Sequence, residues 1–261
     1  MLRTELTGKV AVITAGAGVI GKEIVKTFAA SGAAVAVCDK DLAAAKEVAA
    51  SVVAGGGKAA AFGMDIRKQG EFPAIVAEIV KTFGGIDILV NNENEEIPEA
   101  DRKEVQDIDM AEYDDLINAG VYGIYGWSKQ CILEMVKRGG GSVVNVVSVR
   151  GVVPCPNQTA IVAVAGAQVG FTRMWGVELK NEHVRVNAVA AGLSKNEKNA
   201  ADLATDEAVE KKMSHLAIHR LCNGADIANA ALFLASDDAA YITGAVLPVD
   251  GGLSAGYVRS F

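Results

Sequence analysis

Seven short apolar runs, separated by longer alanine-rich stretches, leave this chain few folds to choose from. The runs cover 9–14, 33–39, 59–65, 86–92, 142–148, 184–190 and 245–252. Most are continuously apolar, as strands buried on both faces of a parallel sheet must be. The stretches between them predict helices over about 19–31, 41–57, 71–85, 110–137 and 160–178, with more helical material in 205–235. Strand–helix alternation with right-handed crossovers gives the α/β class: a single-domain, Rossmann-like, doubly wound parallel sheet with helices on both faces. A chain of 261 residues, 51% hydrophobic, can bury one large core. No repeat or linker divides it, so one domain spans 1–261.

Composition then excludes partners. The net charge of −7 argues against nucleic acid. No apolar run reaches the roughly 18 residues of a membrane span, so no membrane is expected. The N-terminal MLRTELTGKVAVIT enters a strand without a signal-type segment, which implies a cytoplasmic protein. Cys38, Cys131, Cys155 and Cys222 form no CxxC and read as reduced thiols. His215 and His219 stand four apart with no third ligand in the pattern, so no metal is expected.

The first strand runs into TAGAGVIG (14–21), where Gly16, Gly18 and Gly21 fit G-x-G-x-x-G. Such a turn lets the backbone approach a pyrophosphate at a helix N-terminus. Asp39 closes the second strand 18 residues after Gly21. An acid there binds ribose hydroxyls and disfavours a 2′-phosphate, favouring NAD(H) over NADP(H). The alternative is that the glycines only make the strand–helix turn and no cofactor binds.

With Asp65 after the third strand, NN at 91–92, VVNVVSVRG (143–151), VRVNAVAAG (184–192) and YITGAVLPVDGG (241–252), the chain resembles the short-chain dehydrogenase/reductase family from about Leu6 to Gly252. The resemblance implies a site at the carboxyl ends of the strands and a dinucleotide held by Gly16, Gly18, Gly21, Asp39, Asp65 and Asn91. It also implies a homo-oligomer, tetramer or dimer, built on the fourth and fifth helices. The family's hydride transfer uses a serine, a tyrosine, a lysine and an asparagine. The serine falls on Ser148, but the tyrosine falls on Ile161, the lysine on Ala165 and the asparagine on Gly120. Neither Ile161 nor Ala165 can pass a proton. The glycine pattern is also broken at Ala15 and Val19, NNAG becomes NNEN (91–94), and the proline–glycine after the sixth strand is Ala191–Gly192.

These departures predict a non-redox enzyme of isomerase, lyase, hydratase or cyclase type, with a small apolar or carbonyl-bearing ligand. Its pocket is enlarged by the lost side chains and lined by Asn94, Gln158, Ile161, Ala165 and Gly192, with Asn157 nearby. Glu93, Glu95 and Ser148 are its candidate catalytic groups, because both glutamates follow the fourth strand at the ligand-binding edge. Two alternatives remain. One is an NAD-dependent oxidoreductase with a substitute proton donor or water relay. The other is a non-catalytic protein pairing through helices 110–137 and 160–178. A Tyr-x-x-x-Lys at Tyr125–Lys129 lies on the wrong helix and reads as structural. Residues 93–115 carry eleven acids and two bases, mostly a solvated loop, and 193–216 matches the family's substrate lid.

Overall fold

The computed structural model describes residues 4–93, 102–196 and 199–256. Seven strands form one sheet: β1 (Val10–Ile13), β2 (Ala34–Asp39), β3 (Lys58–Gly63), β4 (Ile88–Asn91), β5 (Gly141–Ser148), β6 (Val184–Ala191) and β7 (Val246–Val249). All pairings are parallel, in the order β3-β2-β1-β4-β5-β6-β7. The order reverses between β1 and β4, which opens a crevice at their carboxyl ends. The connecting helices are α1 (Val19–Ala30), α2 (Leu42–Ala54), α3 (Phe72–Phe83), α4 (Met110–Ile117), α5 (Ile124–Lys137), α6 (Thr159–Glu178), α7 (Asp206–Met213) and α8 (Gly224–Ala235).

The sheet buries both faces, so its strands need no polar alternation. Phe28 of α1, Val48 of α2 and Ile227 of α8 cover one face. Ile79 of α3, Trp127 of α5 and Trp175 of α6 cover the other, with Trp127 set edge-on to Phe72 at 5.3 Å. Local chemistry fixes the helix ends. Asp41 caps α2 by accepting from the Ala44 N–H, and Asn223 with Asp226 forms a reciprocal box at the start of α8. Gly84 ends α3 in the left-handed conformation, φ 88°, that glycine adopts without a side-chain clash.

Three features differ from the sequence expectation. The single helix expected over 110–137 is two helices joined by a π-turn, Asn118–Gly123. One extra residue per turn leaves the apolar pattern intact on both sides, so periodicity does not register it. The material over 205–235 is likewise divided into α7 and α8. Finally, α6 with the turn after it (Thr159–Glu182) has the length and apolar composition of a membrane span. It is a core helix here: Ile161, Ala165, Val169, Thr172 and Trp175 are buried.

The far end of the molecule depends on one cation. The half-buried Arg185, on β6, donates to the carbonyl oxygens of Leu234, Ala235, Ser236 and Ile242 at 2.8–3.3 Å. It thereby satisfies the last turn of α8 and the approach to β7. Arg185→Met strands those acceptors. It is expected to cost about 2–4 kcal/mol, and a thermal melt should show the midpoint lowered by roughly 5–10 °C.

Candidate active site

The carboxyl ends of β1 and β4 are tied together directly. The Thr14 N–H donates to the Val90 carbonyl, and the Asn92 N–H donates to Thr14 Oγ1 at 2.9 Å. Between them lies a cleft of about 470 Å³. Gly18, Val19, Asp39, Asp65, Asn92 and Glu93 are among its lining residues.

The three motif glycines have different reasons. A Cβ on Gly21 would lie 2.0 Å from the Ala15 carbonyl oxygen, and one on Gly16 2.7 Å from Val37. Both are demanded by the turn itself. A Cβ on Gly18 would lie 3.3 Å from the Ala15 carbonyl oxygen, a tight but lesser conflict. Gly18 is the N-cap of α1. It brings no side-chain cap, and the first turn holds no acidic residue. The amide groups of that turn therefore face the cleft, a ready anion site. Ala15, where the family has glycine, sits at φ 44°, in the left-handed region that penalises a side chain.

Asp39 is buried and holds the loop. One carboxylate oxygen accepts from the Ala17 N–H at 3.0 Å and the other from the Asp41 N–H at 2.9 Å. Each oxygen keeps a second lone pair for a ribose hydroxyl. Below it the Cys38 thiol is held protonated, first by burial and then by the Glu93 and Asp39 charges, and Glu93 lines the same cleft. Asp65 accepts from the Arg67 N–H, and Arg67 in turn forks onto Asp115 of α4 with two contacts of 2.8 Å. That guanidinium pulls the Asp115 carboxyl below its ordinary range. Asn91, expected at the cofactor, is buried beside the cleft and not in its lining; its amide donates to Ser128 Oγ and Asn145 Oδ1, both at 2.8 Å.

The reacting end is built differently. Ser148 ends β5 opposite Ala191 of β6, beside Gly192. Its Oγ accepts from the Arg150 N–H at 3.3 Å, which leaves the hydroxyl proton to donate elsewhere. Ile161, 3% exposed, packs in a cluster with Leu116, Ala160, Tyr113 and Val164. Ala165 is buried against the turn at Gly151. Gly120 lies inside the π-turn, a distortion that recurs at functional sites. A Cβ on Gly120 would stand 2.3 Å from Val164 Cγ1, and the Gly120 carbonyl accepts from Gln168 Nε2 at 3.1 Å.

The structure thus brings Gly18, Asp39, Asp65 and Glu93 into one cleft and sets Ile161 and Gln158 apart from it, between α4 and α6. Asn94 and Glu95 lie outside the described residues. Val164, Gln168 and Tyr113 were not singled out from sequence. No local signal marks Val164, because its partner Gly120 lies 44 positions away. Tyr125 of the Tyr-x-x-x-Lys pair rests on Phe171 and Trp175 at centroid distances of 6.1 and 6.0 Å. Among the described residues no group of three or more His, Cys, Asp or Glu side chains is arranged to hold a metal.

Residues 15–254 match the family profile described as Enoyl-(Acyl carrier protein) reductase. The chain belongs to the short-chain dehydrogenase/reductase family. It is similar to 2-(S)-hydroxypropyl-CoM dehydrogenase 3 of Xanthobacter autotrophicus, 35% identical over 97% of this chain and 100% of the relative. It is also 35% identical to the 7alpha-hydroxysteroid dehydrogenase of Escherichia coli, over 95% of this chain and 94% of the relative. A solved 7alpha-hydroxysteroid dehydrogenase in complex with NADH and 7-oxo glycochenodeoxycholic acid superposes with a TM-score of 0.88 at 34% identity, covering 96% of both chains. These relatives carry the names of oxidoreductases, which overturns the expectation of a non-redox isomerase, lyase, hydratase or cyclase. The packing gives a physical reason for the error. The side chains taken as lost have not left an enlarged pocket, because Val164 and the α4 cluster occupy the space.

The close fit of Gly120 and Val164 yields a test. Gly120→Asn alone is expected to destabilise by about 1–3 kcal/mol through overpacking. In a Val164→Ser background the penalty should shrink markedly. Denaturant melts of the four proteins in this cycle measure the coupling, and additive effects would refute it.

Proposed function

We propose that this chain is a nicotinamide-dependent oxidoreductase that interconverts an alcohol and a carbonyl compound, with NAD(H) as cofactor and no tyrosine as proton donor. The cleft at the switch point carries the reading. An uncapped helix N-terminus, the side-chain-free approach at Gly18 and the spare lone pairs of Asp39 suit a pyrophosphate and a ribose. When bound, the nicotinamide exchanges a hydride with the substrate carbon. The Ser148 hydroxyl donates to the substrate oxygen and orients it. The family's tyrosine, lysine and asparagine positions are Ile161, Ala165 and Gly120, none with a titratable side chain, so water brings the proton to that oxygen. Missing a positioned acid costs a factor of roughly 10²–10⁴. Turnover is therefore slow, and reduction quickens as pH falls. Glu93 belongs to the dinucleotide half of the site, where its carboxylate opposes a pyrophosphate.

NADH titrated by fluorescence or calorimetry is expected to saturate below millimolar concentration, with NADPH about tenfold weaker or more. Glu93→Ala should tighten NADH, and Asp39→Ala should erase the preference between the two. No saturation at millimolar NADH sinks the reading. Ile161→Tyr, Val164→Ser and Ala165→Lys combined should raise the rate of carbonyl reduction by about 10² or more.

Homo-oligomer formation, as tetramer or dimer, is proposed from the face shared by α5 and α6. Tyr122 and Val177 are 61% and 63% exposed there, with Met174 and Leu133 about half exposed. Phe171 and Trp175 stack at 4.9 Å beneath Tyr125. Exposed large apolar side chains on the π-turn, α5 and α6 support an interaction surface there. Sedimentation velocity should show an oligomer that Tyr122→Glu with Met174→Glu converts to monomer. A monomeric parent protein at tens of micromolar contradicts the proposal. The four free thiols, Cys38, Cys131, Cys155 and Cys222, suit the reducing cytoplasm, the location proposed.

A further inference from the structure

The turn that follows β3 is held from two sides. On the inner side Asp65, Ile66 and Arg67 all line the cleft. The Asp65 carboxylate accepts from the Arg67 N–H at 3.0 Å, and the Asp65 carbonyl from the Lys68 N–H at 2.9 Å, which draws the four residues into a tight turn. The order of the strands sets which half of a dinucleotide this turn meets. Ser148 on β5 marks the reacting end, and β2 and β3 lie on the opposite side of β1, where the adenosine half belongs.

On its outer side the same turn is seated on the joint between α4 and α5. Arg67 Nε and Nη2 each donate to a different oxygen of Asp115, both at 2.8 Å. Two residues further on, Gln69 Nε2 donates to Asn118 Oδ1 at 3.1 Å, where the π-turn begins. Where the π-turn ends, Gly123 presses on the Ile66 carbonyl so closely that a Cβ there would lie 2.4 Å from its oxygen. Asp115 itself is not among the residues that line the cleft. An exposed ion pair with one contact contributes little, but a two-bond fork fixes direction as well as distance. A loop that must be ordered when its ligand arrives costs affinity, and a contact that orders it beforehand restores that affinity.

We infer that Arg67 and Asp115 are positioning residues for the dinucleotide: their fork holds the Asp65 turn against α4 in the arrangement that receives the adenosine half. Cofactor affinity then depends on a carboxylate outside the cleft. This rests on the cofactor reading above, and it concerns binding alone, not the proton donor or the substrate.

Two substitutions separate this role from a simple effect of charge. Arg67→Met removes a cation and Asp115→Asn removes an anion, so through the field alone they change the affinity for an anionic ligand in opposite directions. Through the fork they act alike. AMP and NADH are titrated calorimetrically into the parent and both variants. Each variant is expected to weaken both ligands by a factor of about three to ten. Arg67→Lys, which keeps the charge but not the fork, should fall between. Unchanged or tighter AMP binding by Asp115→Asn overturns the proposal. Weaker NADH with unchanged AMP also overturns it, because the fork then acts at the reacting end. So does a lowered melting midpoint with parental affinities, because the fork is then a structural element only. A parent that binds neither ligand removes the cofactor reading and this proposal together, whereas a parent that binds both and is matched by its variants defeats this proposal alone.

Discussion

The turn after β1 closes around a single carbonyl oxygen, that of Ala15. The Gly18 N–H donates to it at 3.1 Å and the Asn92 amide at 3.3 Å, and Gly21 passes so close that no side chain could stand there. This contact fixes where α1 begins relative to the end of β4. The direction of the first-turn amides, the position of Asp39 and the width of the crevice all follow from it. Ala15 adopts a strained backbone for the purpose, which says that the geometry of the turn outweighs the preference of the residue.

Much of this was readable from sequence because parallel strands covered on both faces leave a plain mark: short, largely apolar runs ended by polar or turn residues. Val10–Ile13, Ile88–Asn91 and Gly141–Ser148 are such runs, and the phosphate-binding turn is local enough to be spelled out in eight letters. The π-turn at Asn118–Gly123 is not, since it inserts a residue without disturbing the pattern on either side. The relation of Gly120 to Val164 is further from view. It is a complementarity of volumes across two helices 44 positions apart, and a single sequence shows neither partner as unusual.

The same blindness explains the inference that failed. Side chains absent from a familiar motif were read as empty space, and empty space as a new pocket. Interiors are close-packed, and a substitution to a smaller residue is met by a larger one nearby. Val164 against Gly120, and Ile161 against Leu116 and Tyr113, fill that space. Glu93 was expected to face this region because both follow strand ends. Glu93 lines the cleft with Ala15 and Asp39, whereas Ile161 belongs to a helix packed on β5 and β6 and clusters with α4. Two residues at one sheet edge need not touch.

The hydrogen bond from Gln168 to the Gly120 carbonyl, taken with Val164 over the same glycine, couples position 120 to α6. No side chain fits at 120 unless Val164 gives way. A change at either position is therefore felt at the other, and the two helices can be redesigned here only as a pair.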